Sequence, residues 1–204
     1  AEEPGQAMNT REEMLARMRR SQPAPVALPE LPAFAPSGGA AAAGFDAFCE
    51  ALQRMGGKIA PAPAGGDADA AVRALFPDAK VICSATPEVR GTRTLDPTQS
   101  PAALDDVDVG VVRAAFGVAE TGSVLLTEAE LQVEALGFLA QHLVVLLDPA
   151  KVVATLHDAY RDPAFAQARY AILMTGPSAT ADIEGVLIHG AQGIRSLTLL
   201  PHAA

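Results

Sequence analysis

The alternation of short apolar runs with segments of helical periodicity constrains the fold of this chain more than any other feature. Residues 108–115 and 143–147 are apolar on both side-chain faces, as strands buried in a parallel sheet require. Further strands are predicted at 58–60, 80–84, 124–127, 170–175 and 196–200. Helices are predicted at 45–55, 67–76, 149–160 and 178–188. The pattern predicts an α/β domain with a mostly parallel sheet flanked by helices.

The first 44 residues differ from the rest of the chain in composition. Thr10-Arg11-Glu12-Glu13 is a capping-box pattern, which predicts a short helix that continues to Arg20. Five prolines between residues 21 and 43, together with Gly38-Gly39, interrupt regular structure in the segment that follows. We therefore predict a helix and a Pro-rich linker at 1–44 and an α/β domain at 45–204.

Composition argues against several classes of protein. The net charge is -9, with no Trp and two Tyr, so the basic surface and stacking aromatics of nucleic-acid-binding proteins are missing. The chain has no run of about 18 strongly apolar residues, which is the length that a membrane-spanning helix needs. The two cysteines, Cys49 and Cys83, fit neither a zinc nor an iron–sulfur ligand set, and the N-terminal residues show no signal-peptide pattern. We expect a cytoplasmic protein that itself binds no metal or other cofactor.

A first polar segment, residues 119–123, lies between two predicted strands. Loops at the carboxyl ends of strands surround the ligand crevice of open α/β sheets, and Glu120 is the sole acid in this loop. Glu120 could act as a general base, a nucleophile or a ligand-orienting carboxylate, with Thr121 and Ser123 as hydroxyl donors. The alternative is an ordinary turn in which Gly122 has a positive φ and Glu120 is solvated.

A second polar segment, residues 176–184, follows the predicted strand at 170–175 and opens a predicted helix. Free backbone N–H groups at such a helix start would attract a carboxylate or a phosphate, and Ser178 or Thr180 could cap the helix. The alternative is an ordinary capped helix with Asp182 and Glu184 placed to suit the helix dipole. Residues 190–193 form a further glycine-spaced turn, and the four histidines show no metal-ligand spacing.

Four segments, taken in order, resemble the LUD-domain family and, within it, the lactate utilization protein C group. They are Val118-Ala119-Glu120-Thr121-Gly122-Ser123, Leu139-Ala140-Gln141-His142, Gly176-Pro177-Ser178-Ala179-Thr180-Ala181-Asp182-Ile183-Glu184 and Gly190-Ala191-Gln192-Gly193. The resemblance covers residues from about 102 to the end of the chain. It implies an α/β fold of the type shared with ribose-5-phosphate isomerase, glucosamine-6-phosphate deaminase and coenzyme A transferases.

The resemblance also implies a function. Proteins of this group are linked to the oxidation of L-lactate to pyruvate together with iron–sulfur proteins, so we expect iron–sulfur partners and a small anionic substrate such as lactate. Position and chemistry make Glu120 the candidate catalytic residue. The residues expected to bind the substrate are Thr121, Gly122, Ser123, Gly176, Ser178, Thr180, Asp182, Gly190, Gln192 and Gly193.

The chain departs from the family pattern at three places. The family usually has His-Gly-Pro where this chain has Gln192-Gly193-Ile194, usually has Leu-Pro where it has Leu139-Ala140, and often has Thr at the position of Ser123. The change at Gln192 removes an imidazole that could transfer a proton.

Two other functions stay open on the sequence. One is a stand-alone isomerase or transferase that acts on a sugar phosphate or an acyl-CoA, in which Glu120 would transfer a proton or accept an acyl group. The other is a binding module whose Arg-bearing first helix docks on a partner.

Overall fold

The computed structural model describes residues 10–30, 44–183 and 185–203, and the chain divides into two units, Ala1–Phe34 and Ala35–Ala204. In the first unit, helix α1 spans Thr10–Arg20, which confirms the predicted helix. Its first turn carries Glu12 and Glu13 and its last turn carries arginines, an arrangement that suits the helix dipole. Residues 23–30 have no regular structure, and predicted linker residues 31–43 lie outside the described residues.

The second unit alternates short helices with strands. Its helices are α2 (Phe45–Arg54), α3 (Ala68–Leu75), α4 (Glu128–Leu131), α5 (Leu136–Leu139), α6 (Leu156–Arg161) and α7 (Pro163–Ala166). The strands up to the middle of the chain are β1 (Lys58–Ile59), β2 (Ile82–Ser84), β3 (Val109–Arg113), β4 (Gly117–Val118) and β5 (Ser123–Thr127). The later strands are β6 (His142–Leu147), β7 (Val152–Val153), β8 (Ala171–Met174), β9 (Ala179–Ile183), β10 (Val186–His189) and β11 (Ser196–Pro201).

A five-stranded parallel sheet forms the centre of the domain, in the order β1-β11-β6-β3-β2. In its middle strand, Leu143, Val145 and Leu147 face one apolar cluster. Val144 and Leu146 face a second cluster on the opposite side of the sheet. The sheet therefore has a core on both faces, which explains why most positions of its middle strand are apolar on both sides. The predicted α/β class with a mostly parallel sheet flanked by helices is confirmed.

Two smaller sheets complete the described part of the domain. Strands β7, β4, β5 and β8 form a mixed sheet in that order, in which β5 pairs antiparallel with both β4 and β8. The strands predicted at 124–127 and 170–175 therefore exist, but they lie outside the parallel sheet. Strands β9 and β10 form a separate antiparallel hairpin.

The helix predicted at 178–188 is wrong, because this segment is the β9–β10 hairpin. Thr180 pairs with Ile188 across the hairpin, and Gly185 takes a φ of 70° at the turn. Ser and Thr after a strand are helix-capping signals, but the β-branched residues that follow favour strands, and the strand preference prevails here. The helix N-terminus on which the sequence argument for an anion site rested is therefore absent, and binding at Ser178 and Thr180 stays a prediction.

The helix predicted at 149–160 is wrong in its first half. Val152 and Val153 form strand β7, and the helix begins only after Thr155. Thr155 caps it, because its hydroxyl accepts a hydrogen bond from Asp158 N while the Asp158 carboxylate accepts one from Thr155 N. This capping box sets the start of α6.

The C-terminal half of α2 packs directly against two glycine turns. A Cβ atom on Gly122 would lie 2.2 Å from Leu52 N, and one on Gly176 would lie 2.4 Å from Met55 O. Both glycines also have positive φ values, 70° and 68°. Any larger residue would therefore have to adopt a strained backbone and also displace the helix.

We expect Gly122→Ala to lower the free energy of unfolding by about 3 kcal/mol or more, because it adds a backbone clash to the cost of a positive φ. Gly65→Ala is the matched control, since Gly65 has a φ of 63° but no atom within 4 Å of the added Cβ. It should cost only about 1–2 kcal/mol. Urea unfolding of the two variants measures the difference, and equal losses would contradict the packing argument.

Candidate functional site

A chain of three hydroxyl groups joins the two polar segments that the sequence analysis selected. Thr121 Oγ1 and Ser123 Oγ share a hydrogen bond of 2.7 Å, and Ser123 Oγ is also hydrogen-bonded to Thr175 Oγ1. The pairing of Val124 with Met174 in the mixed sheet places Ser123 opposite Thr175. The structure therefore brings the first turn to the beginning of the second, although the two hydroxyls are 52 residues apart in sequence.

Thr175 lines a hollow of about 510 Å³, which we call the Thr175 hollow. Its walls come from α5, from β8 and from the turns at 176–178 and 192–194. Backbone hydrogen bonds hold the two turns together, from Ser178 N to Ile194 O at 3.1 Å and from Gly190 N to Ser178 O at 2.7 Å. Of the predicted binding residues, Gly176, Ser178, Gln192 and Gly193 line this hollow.

The chemistry of the Thr175 hollow is neutral and partly apolar. Thr175, Ser178 and Gln192 supply hydroxyl and amide groups, and the residues that line the hollow include no ionisable side chain. Phe138 and Leu139 provide an apolar wall and are each 36% exposed. The volume lies within the range of roughly 300–1,000 Å³ that is typical of small-molecule sites. Its volume and lining suit a small molecule that has both hydrogen-bonding and apolar parts.

Glu120, the predicted catalytic residue, lies outside the lining of the Thr175 hollow. Its side chain is exposed, and its carboxylate accepts a hydrogen bond of 2.9 Å from Leu156 N in the first turn of α6. A carboxylate at this place satisfies a free N–H group of the helix and suits its dipole. The structure thus gives Glu120 a structural contact, and its role as a base stays a prediction.

The remaining predicted binding residues lie outside the lining of the Thr175 hollow. Thr121 and Ser123 belong to the hydroxyl chain, and Gly122 packs on α2. Thr180 lies in the β9–β10 hairpin, and Gly190 ends that hairpin next to Arg195. Asp182 lies within β9, and its side chain falls outside the described residues.

The comparisons with known proteins agree with this architecture. Residues 102–200 match the model of the LUD domain family. All four resembling segments lie inside this LUD-like region. The solved structure of a DUF162 family protein from Deinococcus radiodurans is similar in fold, with a TM-score of 0.59 and 16% identity over 76% of this chain and 94% of that chain. Among curated proteins no match was found.

Sequence reasoning missed a second cavity, of about 380 Å³, which includes His142 at the start of β6. His142 Nδ1 is hydrogen-bonded to Ser196 Oγ at 2.7 Å, and its ring lies 5.1 Å from that of Phe76, centroid to centroid. Burial lowers the pKa of His142, and the positive charges of Lys58 and Arg195 lower it further. We call this space the His142 cavity. A single histidine before an apolar strand does not by itself predict a cavity or these contacts. His142 does, however, lie in one of the four segments that resemble the LUD-domain family.

No group of three or more His, Cys, Asp or Glu side chains that could hold a metal ion occurs within the described parts of the chain. None of the described helices is both long enough and apolar enough to cross a lipid bilayer.

Asp108, which also lines the His142 cavity, binds the backbone at the start of β2. Its Oδ2 accepts hydrogen bonds from Val81 N at 2.9 Å and from Lys80 N at 2.8 Å. These two bonds hold the pKa of Asp108 below its ordinary value. The folded state therefore favours the charged carboxylate. The stability that it contributes is complete above the unfolded pKa, and is lost as the pH falls through the lower folded pKa.

We expect Asp108→Asn to lower the free energy of unfolding by about 1–2 kcal/mol at pH 7, because two amide hydrogen bonds lose their charged acceptor. The difference from the unmodified protein should shrink as the pH falls from about 4 through the lower folded pKa of Asp108, below which both side chains are neutral. Asp105→Asn, at an exposed neighbouring carboxylate, is the control and should have little effect at either pH. Urea unfolding at several pH values tests this, and a pH-independent difference would contradict it.

Proposed function

We propose that this chain is a subunit of a complex that oxidises L-lactate to pyruvate and that its Thr175 hollow binds the small hydroxy acid. The match of residues 102–200 to the LUD domain supports this assignment. The observation that carries it is the position of two separate polar segments of the resemblance. Residues 176–178 and 192–193 line one hollow, and the first motif reaches the same hollow through the Ser123–Thr175 contact.

The groups around the hollow suit a 2-hydroxy acid. Lactate has a methyl group, a hydroxyl group and a carboxylate, and the hollow offers an apolar wall beside neutral hydrogen-bonding side chains. Thr175 and Ser178 can donate to the carboxylate, and the Gln192 amide can donate to it or accept from the substrate hydroxyl. Only interactions that strengthen in the transition state speed a reaction. Because these neutral groups contact the substrate itself, their role in the proposal is to bind lactate and to orient it.

The two electrons released by lactate need an acceptor. Iron–sulfur clusters commonly require four cysteine thiolates, and this chain has two cysteines, so we infer that the clusters are held by partner proteins. The resemblance to the lactate utilization protein C group supports the same division of labour. The cytoplasm is the expected compartment for such a complex.

We expect the full chain to reduce a redox dye in the presence of L-lactate only when iron–sulfur proteins co-purified from its native host are added. The physical reason is that the chain by itself supplies binding groups without an electron acceptor. Dye reduction with and without these proteins measures the dependence. Full turnover by the chain alone would overturn the assignment as a subunit and would favour a stand-alone enzyme.

In the reconstituted complex, Thr175→Val should lower kcat/KM for L-lactate by about tenfold, the effect of losing one hydrogen bond of roughly 1.4 kcal/mol. Valine keeps the shape of threonine, and urea unfolding checks that the domain stays folded. Thr98→Val is the matched control, because Thr98 is exposed in a surface loop and bonds only locally to Asp96. An unchanged kcat/KM in Thr175→Val would remove the hollow from the proposal.

The variant Glu120→Gln distinguishes the proposed function as a subunit from the alternative of a stand-alone enzyme. Because the Glu120 carboxylate contacts Leu156 N rather than the hollow, we expect lactate-dependent dye reduction to persist in this variant. Glutamine retains an oxygen that can accept the same hydrogen bond. Abolished activity with an unchanged unfolding midpoint would instead establish Glu120 as the base of a catalytic chain.

A further inference from the structure

The His142 cavity has both an arginine, Arg195, and a histidine, His142, among the residues that line it. It is distinct from the Thr175 hollow, although neighbouring residues of the same two segments line the two spaces: Leu139 and Ile194 face the hollow, while Gln141 and Arg195 face the cavity. Its floor is the start of β6 and β3, and residues 75–79 cover one side. Its volume of about 380 Å³ suffices for a small ligand.

His142 is held in one orientation. The Ser196 hydroxyl binds Nδ1, and the Phe76 ring packs against the imidazole at an interplanar angle of 31°. Ser196 is itself only 7% exposed, so this anchor is part of the core. Within residues 44–183 and 185–203, Nε2 of His142 has no hydrogen-bond partner, which leaves it available to a ligand.

Arg195 is the cation among the residues that line the cavity, and it forms no ion pair within the described residues. Lys58, at the start of β1, lies outside the lining and adds a second positive charge near His142. Of the two carboxylates that line the cavity, Asp108 is engaged by the amides of Lys80 and Val81. The other, Asp78, is exposed and pairs with neither cation in the described structure.

We propose that Arg195 and His142 bind a small carboxylate or phosphate anion in this cavity. The planar guanidinium of Arg195 presents two parallel N–H donors, the geometry that matches a carboxylate or a phosphate. His142 then donates a third hydrogen bond from Nε2, with Nδ1 accepting from the Ser196 hydroxyl. This site is independent of the proposed lactate oxidation, because it needs neither an electron acceptor nor a partner.

The test is a titration of the full-length protein with three salts: sodium L-lactate, sodium phosphate and, at matched ionic strength, sodium chloride. NMR of the histidine side-chain nitrogens follows His142, and His142→Gln assigns its signals among the four histidines. We expect saturable shifts of the His142 signals with lactate or with phosphate and none with chloride. Whichever of lactate and phosphate binds more tightly identifies the preferred anion as a carboxylate or a phosphate.

The same NMR titration is repeated with the Arg195 variants, because the His142 signals report binding in this cavity alone, whereas heats of binding would include any lactate in the Thr175 hollow. Arg195→Ala should weaken binding about tenfold or more, and Arg195→Lys should weaken it less, because it keeps the charge and loses the paired donors. Arg161→Ala, at an exposed arginine of α6 outside the cavity lining, should bind like the unmodified protein. Because Arg195 is exposed, its removal should leave the fold intact.

Three outcomes would overturn the proposal: no binding of either anion at millimolar concentration, equal shifts with chloride, or binding that Arg195→Ala leaves unchanged. None of these depends on lactate oxidation. If reconstitution fails but the titration shows binding, the lactate-oxidising complex is rejected and the anion site is kept. If reconstitution succeeds but no anion binds, the anion site is rejected and the complex is kept.

Discussion

The antiparallel pairing of β5 with β8 is the constraint on which the candidate site depends. It sets Ser123 opposite Thr175, and both chain segments then turn against the C-terminal half of α2. The turns can approach the helix backbone this closely only because Gly122 and Gly176 lack side chains. One strand register and two glycines therefore position the Thr175 hollow, whose own lining contributes few strong interactions.

The central sheet could be predicted from the sequence because its signal is local. From Leu143 to Leu147, strand β6 has both faces buried and is apolar at every position, and this pattern can be recognised without knowledge of the neighbouring strands. The partners of β5 and β8 were not predictable in the same way. Their residues are equally apolar, and only long-range pairing decides whether such strands join the parallel sheet or a second, mixed one.

The site was predictable in part for a related reason. Ser178, Gln192 and the nearby glycines lie in turns. Polar residues in a turn between apolar segments are recognisable in sequence as candidate binding residues, and the structure does bring these together. Thr175 was missed because it ends a strand and resembles a structural residue. The predicted helix at 178–188 failed because capping signals and strand-forming residues coincide in one segment, and local chemistry alone does not decide between them.

The packing of the glycines also changes what the resembling motifs mean. Gly122 and Gly176 are explained by close backbone approach, and Glu120 makes a structural contact with Leu156 N, so part of each motif maintains the shape of the domain. The chemistry of the Thr175 hollow then falls to Thr175, Ser178 and Gln192. At the position where the LUD-domain family that this chain resembles usually has an imidazole, Gln192 keeps hydrogen-bonding capacity but cannot carry a proton at neutral pH. The described lining of the hollow thus offers hydrogen-bonding groups without an ionisable side chain, so in the proposed function any proton transfer requires a group supplied from outside this lining.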